Sequence, residues 1–423
     1  MYEELLNEWN PWWSSKYSHT SVKREYFEKL INLLDLKHII ALLGVRRSGK
    51  TDTLFQIVDH LLKKVKSDNI LFIKVDDLRI KENLDFRKID SLIEEYKKIN
   101  DPKGKIYLLL DEIQELPNWQ QYLKTLYDLN INLKIIVTGS NAQMLKKDIS
   151  TYLTGRIIEQ TVYPFSFNEF LTAKQIGKEF NPANIIKIKK SFDDYLVDGG
   201  FPETITSSSK KIIQKEYFQT ILFKDVVSRY NISNSQKILD FALYILSNST
   251  KLFNFSSLAK QFSYSSDSVS DYISYFEEVF FIFRMFVHDY SLKKQLINPK
   301  KLYCIDNGII TASSFKFSKD SGRLMENLVF VELKRKDYEL YYYKDKNECD
   351  FLVKHNAEII DAIQVTEELN SSNKDREING LLGAMKTHSL NEGTILTYDH
   401  EENMVIDDKK IHIVPLWKWL MKQ

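Results

Sequence analysis

The sequence of 423 residues is poor in several residue types, and each shortage excludes a class of protein. Two cysteines, Cys304 and Cys349, are too few for a disulfide framework or a four-ligand zinc site. With 13 glycines, 8 prolines and 43% hydrophobic residues, the composition is that of a folded chain and not of a disordered one. The longest apolar stretch, residues 279–287, is short and contains Arg284, so we expect no membrane-spanning helix.

Neither sign of charge dominates, because 59 basic and 58 acidic residues nearly cancel. The overall charge therefore indicates no polyanionic partner, although a local basic patch remains compatible with it. The acidic N-terminus, MYEELLNEWNPWW, has no apolar segment typical of a secretion signal, and we expect a cytoplasmic protein. Arginine is scarce, with 11 arginines against 48 lysines, so an arginine inside a motif carries more weight than a lysine.

Apolar runs alternate with helix-length segments in the first part of the chain. An amphipathic helix is predicted over residues 22–34. Strands are then predicted at 38–44, 70–75, 105–113 and 133–139, with helices between them at 49–65, 86–98 and 118–129. This alternation is typical of an open parallel sheet with helices on both faces.

The pattern changes twice further along the chain. From about residue 166 it is helical, and it ends in two short helices, FSSLAKQF and SVSDYISYFEEV, followed by the apolar pair FFIFRMFVH and KKLYCID. Three helices followed by a two-stranded wing are the order of a winged helix-turn-helix. Beyond Ile310, a helix at 322–336 is followed by short strands and a late helix near 377–386.

A phosphate-binding loop is predicted at residues 44–51, which match the pattern GxxxxGK[ST] between a strand and a helix. Glycines let successive backbone N–H groups point at phosphate oxygens, and the helix start adds partial positive charge. Lys50 is expected to reach the β- and γ-phosphates, and the Thr51 hydroxyl to hold Mg²⁺. The nucleotide-binding residues are then Gly44, Val45, Arg46, Arg47, Ser48, Gly49, Lys50, Thr51 and Asp52.

An apolar strand ending in Asp111 and Glu112 supplies the acidic partner of this loop. Parallel strands end at one edge of the sheet, which places the acids beside the loop. Asp111 is expected to orient Mg²⁺ through water, and Glu112 to polarise the attacking water as a general base. One strand–helix unit intervenes between loop and acids, which favours the P-loop proteins that hydrolyse ATP with their own glutamate.

Two further polar residues have alternative interpretations. Ser140, at the tip of the next strand, either senses the γ-phosphate or begins a helix as its N-cap. Arg156, in the run Thr-Gly-Arg, either stabilises transition-state charge, in cis or across a subunit boundary, or forms a surface salt bridge.

At this point the chain resembles the archaeal and bacterial AAA+-related P-loop ATPases. The resemblance rests on IIALLGVRRSGKT, LLLDEIQELPNW, VTGSNAQML, TGR and GGFPE, and it extends from about residue 20 to the end. It implies an ATPase core, a winged helix, and a C-terminal domain of unknown function with a fold like the PD-(D/E)XK nucleases.

The implied nuclease fold can be compared with the acids of the C-terminal region. Such a site needs a helical Glu, a strand Asp and then [E/Q]-x-K, and Glu326, Asp350 and Gln364 match the first three positions. Thr366 stands where the lysine belongs, and neither Lys334 nor Lys354 has the matching spacing. We therefore expect a degenerate nuclease site that does not cleave.

The predicted winged helix offers a second route to DNA. Four wing lysines would bind phosphates: Lys293, Lys294, Lys300 and Lys301. Against this, the recognition helix is acidic and contains no lysine or arginine, so the alternative is a module that packs against protein. The N-terminal aromatic segment WNPWW likewise either packs onto a neighbouring domain, which we favour, or forms a partner-binding hot spot.

These observations predict an α/β protein with a parallel P-loop core. Four segments are expected: an ATPase core at 1–165, a helical lid at 166–230, a winged helix at 231–310 and an α/β restriction-nuclease-like domain at 311–423. The expected function is ATP binding and Mg²⁺-dependent hydrolysis as a conformational motor or switch. The alternative is a nucleotide-held scaffold with negligible turnover that recruits DNA or a protein. Candidate partners are ATP, DNA, further copies of the chain and other proteins, but no membrane.

Overall fold

The computed structural model describes residues 2–129, 132–141, 152–314 and 320–422. The chain divides into two compact units: Met1–Tyr163 with Glu278–Phe280, and Pro164–Glu277 with Phe281–Gln423. Among the described residues, no helix combines the length and the apolar character needed to cross a bilayer.

The first unit contains a parallel sheet flanked by helices. Its helices are α1 (Tyr2–Trp9), α2 (Phe27–Leu33), α3 (Lys50–Leu61), α4 (Leu78–Lys81), α5 (Phe86–Asn100) and α6 (Trp119–Leu129). Its strands are β1 (Ile39–Leu43), β2 (Ile70–Lys74), β3 (Ile106–Asp111), β4 (Leu133–Gly139) and β5 (Ile157–Thr161). All pairs are parallel, in the order β2-β3-β4-β1-β5. The predicted parallel α/β sheet is confirmed, and β5 is an additional strand.

Strand β4 lies between β1 and β3 and brings their ends together. Leu42 of β1 pairs with Thr138, and Leu110 of β3 pairs with Val137. Every residue of β1 is buried, as expected for a central strand covered on both faces. The loop after β1 and the acidic end of β3 therefore lie on either side of the tip of β4.

The helix predicted over 22–34 is shorter than expected and begins only at Phe27. The Gln56 side-chain amide donates to the Val22 carbonyl at 2.8 Å, in a segment that has no helical conformation. Arg24 is buried, and its guanidinium donates to the carbonyls of Ser48 at 3.0 Å and Tyr163 at 2.6 Å. Tertiary hydrogen bonds thus hold this segment in a non-helical conformation.

The N-terminal aromatic segment packs on the edge strand β2. The indole N–H groups of Trp12 and Trp13 both donate to the Ile70 carbonyl, at 3.2 and 2.9 Å. The Asn10 side chain accepts from Phe72 N at 2.7 Å and donates to Phe72 O at 2.9 Å. Asn10 thereby substitutes for a missing strand neighbour, and the segment covers an edge that would otherwise be open to pairing.

The second unit contains short helices and a larger mixed sheet. Its helices are α7 (Phe167–Ala173), α8 (Pro182–Asp198), α9 (Pro202–Ile205), α10 (Lys210–Thr220, continued by a π-helical segment Ile221–Ser228), α11 (Ser235–Ser247), α12 (Phe255–Phe262), α13 (Ser266–Glu278), α14 (Leu292–Ile297), α15 (Asn307–Ser313), α16 (Ser321–Arg335), α17 (Lys374–Thr387) and α18 (Leu416–Met421). Its strands are β6 (Leu252–Phe253), β7 (Ile282–Val287), β8 (Lys300–Cys304), β9 (Glu339–Lys344), β10 (Glu348–His355), β11 (Glu358–Val365), β12 (Glu392–Thr397), β13 (Glu402–Ile406) and β14 (Lys409–Pro415).

These strands form one nine-stranded sheet in the order β13-β14-β12-β11-β10-β9-β7-β8-β6. Strands β7 and β8 pair antiparallel, and the short helix α14 lies in the connection between them. Strand β7 also pairs with β9 through Phe286 with Tyr341 and Val287 with Tyr342. Hydrogen bonding thus continues across the boundary predicted at residue 310.

A buried carboxylate joins the two glycine-containing motifs of this unit, GGFPE and KLYCIDNG. Asp306 accepts from Gly200 N at 2.7 Å and from Gly308 N at 2.8 Å. A Cβ atom at Gly199 would lie 1.9 Å from the Asp306 carboxylate, and the Gly199 φ of 69° is in the left-handed region. The turn therefore needs glycine for space and for backbone conformation alike.

Candidate functional site

The phosphate-binding loop connects β1 to α3 and is drawn tightly against the sheet. Gly44 approaches the Val162 carbonyl so closely that a Cβ would lie 2.2 Å from its oxygen. Gly49 has a φ of 95°, which permits the turn into the helix. Lys50 is buried, and its ammonium donates to the carbonyls of Gly44 at 3.1 Å and Val45 at 3.2 Å. The lysine is therefore folded back over the loop that precedes it.

Asp111 is held between the helix and the neighbouring strand. The Thr51 hydroxyl donates to its two oxygens at 3.1 and 3.0 Å, and the Thr138 hydroxyl donates to Oδ1 at 2.6 Å. Burial, and next the charge of Glu112, raise the pKa of Asp111 to about 6. A carboxylate this deep in the protein is destabilised unless a positive charge approaches it, which suits a residue that holds a cation.

Glu112 lies beside Lys50 and is restrained by a glutamine. Its Oε1 is 3.9 Å from Lys50 Nζ, and its backbone N–H donates to the Thr138 hydroxyl at 2.8 Å. Gln114 Nε2 donates both to Glu112 and to the Ser140 hydroxyl, the latter at 3.3 Å. Gln114 Oε1 is buried and accepts no hydrogen bond within the described part of the chain. Glu112, Gln114 and Ser140 thus form one hydrogen-bonded group beside the loop.

Ser140 has two interpretations, a γ-phosphate sensor and a helix N-cap, and the described residues bear only on the first. Its hydroxyl faces Gln114 beside Glu112, at the carboxyl end of β4. A helix beginning after Ser140 would occupy residues 142–151, which lie outside the described residues. The last residues of the run VTGSNAQML fall there as well.

Residues outside the recognised motifs support the loop and the first helix. Arg24 bridges the Ser48 carbonyl in the loop to Tyr163, and His19 Nε2 lies 2.7 Å from Asp52 Oδ1. No spacing rule identifies Arg24, His19 or Gln114. The scarcity of arginine is the one signal that could have pointed to Arg24. Gln114 lies inside the run LLLDEIQELPNW, but nothing in that run marks it as a partner of Glu112.

A role for Arg156 in the nucleotide site of its own chain is wrong. The Arg156 carbonyl accepts from the backbone N–H of Ile39, the first residue of β1, whereas the phosphate loop follows the last residue of that strand. Arg156 therefore lies at the opposite edge of the parallel sheet. Its guanidinium pairs with Asp128 at 3.0 Å and lies over the Tyr127 ring.

The three C-terminal nuclease-type residues come together in the second unit. Asp350 on β10 accepts from Val365 N at 3.0 Å, and its own N–H donates to Gln364 Oε1 at 3.1 Å. Between Glu326 on α16 and Asp350 lies Lys301 Nζ, 2.9 Å from each carboxylate. The sequence offers no lysine at the expected spacing, and the lysine that lies between the two acids comes instead from β8.

The prediction that four wing lysines contact phosphates is wrong for two of them. Lys301 is buried among carboxylates, and Lys300 is buried and donates to the Leu296 carbonyl. Lys293 and Lys294 are exposed, and Lys294 lies 3.6 Å from Asp289. An exposed basic pair remains, which is a weaker electrostatic contact for DNA than four lysines.

Models of three known families match successive segments of the chain. A model of an AAA domain (AAA_14) matches residues 36–171. Two models of domains of unknown function, DUF8612 and DUF4143, match residues 189–320 and 321–419. The phosphate loop, Asp111, Glu112, Gln114 and Ser140 all lie inside the AAA match.

An uncharacterized protein of Methanocaldococcus jannaschii, MJ1544, is 35% identical over 398 residues, which cover 89% of this chain and 86% of that protein. The chain belongs to the family of this archaeal protein. An uncharacterized protein of Haemophilus influenzae is 29% identical over 415 residues, 96% of this chain and 100% of that protein. Both relatives thus align with most of the chain and not with the AAA domain alone.

Among solved structures, a DNA polymerase III gamma subunit-related protein from Thermotoga maritima aligns with 12% identity. The alignment covers 73% of this chain and 85% of that one, with a TM-score of 0.29.

Proposed function

We propose that the AAA domain binds ATP and hydrolyses it with Mg²⁺. The observation that carries the proposal is the convergence of Lys50, Thr51, Asp111 and Glu112 on one edge of the sheet, with hydrogen bonds linking Thr51 to Asp111. A P-loop, a buried acid beside its threonine and an adjacent glutamate are the parts that phosphoryl transfer to water requires.

Each residue has a distinct task in this proposal. The loop N–H groups and Lys50 bind the phosphates, and Thr51 with Asp111 would hold Mg²⁺, which neutralises phosphate charge when bound. Glu112 accepts the proton of the attacking water. Gln114 positions Glu112 and connects it to Ser140, so the glutamate and the tip of β4 move together. Hydrolysis then supplies a conformational motor or switch.

The test is phosphate release by the full chain, compared with Glu112→Gln. Loss of about a hundredfold or more in turnover, with ATP binding retained, supports hydrolysis by this site. Glu115→Gln is a matched control, because Glu115 lies in the same turn but pairs with Lys81 at 2.9 Å. Equal, near-zero release by wild type and Glu112→Gln would instead support a nucleotide-held scaffold. Adding single-stranded, double-stranded or branched DNA shows whether DNA is the substrate of the motor.

We further propose that Arg156 acts across a subunit boundary in a homo-oligomer. Support comes from its place at the sheet edge remote from its own loop and from its partial exposure. Mixing Arg156→Ala with Glu112→Gln tests this, because each chain supplies what the other lacks. Recovery of turnover in the mixture is the expected result, and no recovery would contradict a role in trans. Asp128→Asn, which keeps the arginine, is the control.

For the second unit we propose a winged-helix module followed by a restriction-nuclease-like domain, in a cytoplasmic protein. Helices α11, α12 and α13 followed by antiparallel β7 and β8, with β6 beside β8, support the winged helix. The meeting of Glu326, Asp350 and Gln364 supports the nuclease-like fold. A mobility shift with DNA that weakens as salt increases is expected if Lys293 and Lys294 bind phosphates, and a salt-insensitive shift would contradict it.

A further inference from the structure

A cluster of acidic side chains in the second unit surrounds one ammonium group. Lys301 Nζ lies 2.9 Å from Glu326 Oε1, 2.9 Å from Glu348 Oε1 and 2.9 Å from Asp350 Oδ1. An ammonium has three N–H donors, and here three carboxylates match them. Lys301 is only 3% exposed, so water does not compete for these contacts.

Other donors also contact the oxygens of the cluster. Glu326 Oε1 accepts from the Tyr303 hydroxyl at 2.8 Å, and Asp350 Oδ2 accepts from Val365 N at 3.0 Å. Glu348 Oε2 lies 3.3 Å from Lys344. A divalent cation needs several carboxylate oxygens at once, and each of the oxygens named here already has a protein partner.

The charges of the cluster agree with a resident ammonium. Burial lowers the pKa of Lys301, but the carboxylates of Asp350 and Glu326 raise it well above its usual value, so the lysine stays charged. Burial raises the pKa of Glu326 to about 7 despite the nearby lysine. Within the described residues, no set of three acidic, histidine or cysteine side chains is arranged to hold a metal ion.

We infer that Lys301 is the permanent cation of this cluster and occupies the place that a divalent metal takes in a metal-dependent nuclease. The C-terminal domain accordingly binds no divalent cation there and does not cleave DNA. The ammonium instead fastens β8 to α16 and β10, the three elements that carry Lys301, Glu326 and Asp350. The inference does not depend on nucleotide chemistry in the AAA domain.

A manganese titration of the nucleotide-free full chain tests the inference, with unbound Mn²⁺ measured by electron paramagnetic resonance. The wild type is expected to bind no Mn²⁺ that depends on Asp350. One Mn²⁺ per chain in the wild type, lost in Asp350→Asn, would overturn the inference. So would Mg²⁺- or Mn²⁺-dependent cutting of plasmid or single-stranded DNA that disappears in Asp350→Ala.

The converse experiment removes the lysine. Lys301→Met removes the ammonium that lies between the Glu326 and Asp350 carboxylates, so we expect the melting temperature to fall by about 10 °C. Mn²⁺ should restore part of that loss by taking the vacated position. Lys300→Met is the matched control, because Lys300 is a buried lysine on the same strand that contacts the Leu296 carbonyl and the Phe255 ring. No recovery by Mn²⁺ in Lys301→Met, or equal recovery in both variants, would contradict the inference. If Lys301→Met does not fold, the wild-type titration still decides.

Discussion

The Thr51 hydroxyl donates to both oxygens of the Asp111 carboxylate, at 3.1 and 3.0 Å, and so joins the first turn of α3 to the end of β3. The same hydroxyl and carboxylate are the groups expected to receive Mg²⁺. Burial disfavours the charge of the Asp111 carboxylate. Without the metal, the hydrogen bonds from Thr51 replace part of the hydration that the carboxylate loses on burial.

We expect Asp111→Asn to stabilise the nucleotide-free protein at neutral pH. Burial raises the pKa of Asp111 in the folded protein to about 6, so ionisation of this group disfavours folding above that pH. Below about pH 4 the group is protonated in the folded and in the unfolded protein alike. The free energy of unfolding at pH 8 should therefore rise by up to about 3 kcal/mol, with little change at pH 4. Urea unfolding at the two pH values measures this, with the exposed Asp267→Asn as control.

The same substitution should weaken Mg²⁺-dependent ATP binding, because an amide oxygen carries no charge for the metal. Equal destabilisation by Asp111→Asn at both pH values would show that the carboxylate is not the disfavoured group.

Gln114→Leu should lower the turnover number about tenfold with little change in KM, because one hydrogen bond to the charged Glu112 is lost. Steady-state kinetics measure the two constants. The exposed Gln121→Leu on α6 should leave both unchanged.

A double-variant cycle separates positioning from general damage. In a Glu112→Gln background, Gln114→Leu should have no further effect, because its hydrogen-bond partner no longer acts as a base. An equal further loss in that background would mean that Gln114 acts independently of Glu112.

The two loop arginines give a third prediction. Arg46 is half-buried, whereas Arg47 is exposed with a φ of 69°. We expect one of them to reach the γ-phosphate or an acid of a neighbouring subunit, since a guanidinium binds such groups bidentately. Arg46 is the better candidate because it is the more buried of the two. Arg46→Lys should then lower turnover roughly a hundredfold while ATP still binds.

Arg47→Lys is the matched control, and both variants need measurement across a range of protein concentrations. Wild-type turnover in both would show that the arginines are surface charges that pair with nearby acids.

Gly199→Ala should destabilise the second unit by more than about 3 kcal/mol. The Gly199 backbone, at φ 69° and ψ −164°, is essentially restricted to glycine, and the added Cβ would collide with Asp306. Gly155→Ala is the control without a collision, because Gly155 also has a positive φ, 72°, but a Cβ added there would meet no atom of the described residues within 4 Å. That control should lose only about 1–2 kcal/mol. Similar urea midpoints for the two variants would show that the contact with Asp306 is unimportant.

The nucleotide site could be anticipated from sequence because its parts are local. The loop at 44–51 and the acids at the end of β3 each lie within one short run, and parallel strands necessarily bring such ends to a common edge. Strand β5 escaped prediction because Ile157–Thr161 is only partly buried and mixes apolar with polar residues. Its pairing with β1 is what makes it a strand.

The C-terminal cluster could be anticipated only in part. Glu326, Asp350 and Gln364 follow a known order along the chain, but Lys301 precedes all of them and comes from a strand outside that order. A lysine in a hairpin at the edge of an apolar run suggests a solvent-facing side chain. Only the folded arrangement, in which side chains from β8, α16 and β10 meet, reveals that it is surrounded by acids.

The Arg24 guanidinium donates to two carbonyls, that of Ser48 in the phosphate loop and that of Tyr163, the last residue before Pro164. If nucleotide shifts Ser48 while both hydrogen bonds persist, Tyr163 must follow. The peptide that leaves the first unit is thereby tethered to the loop that holds the phosphates.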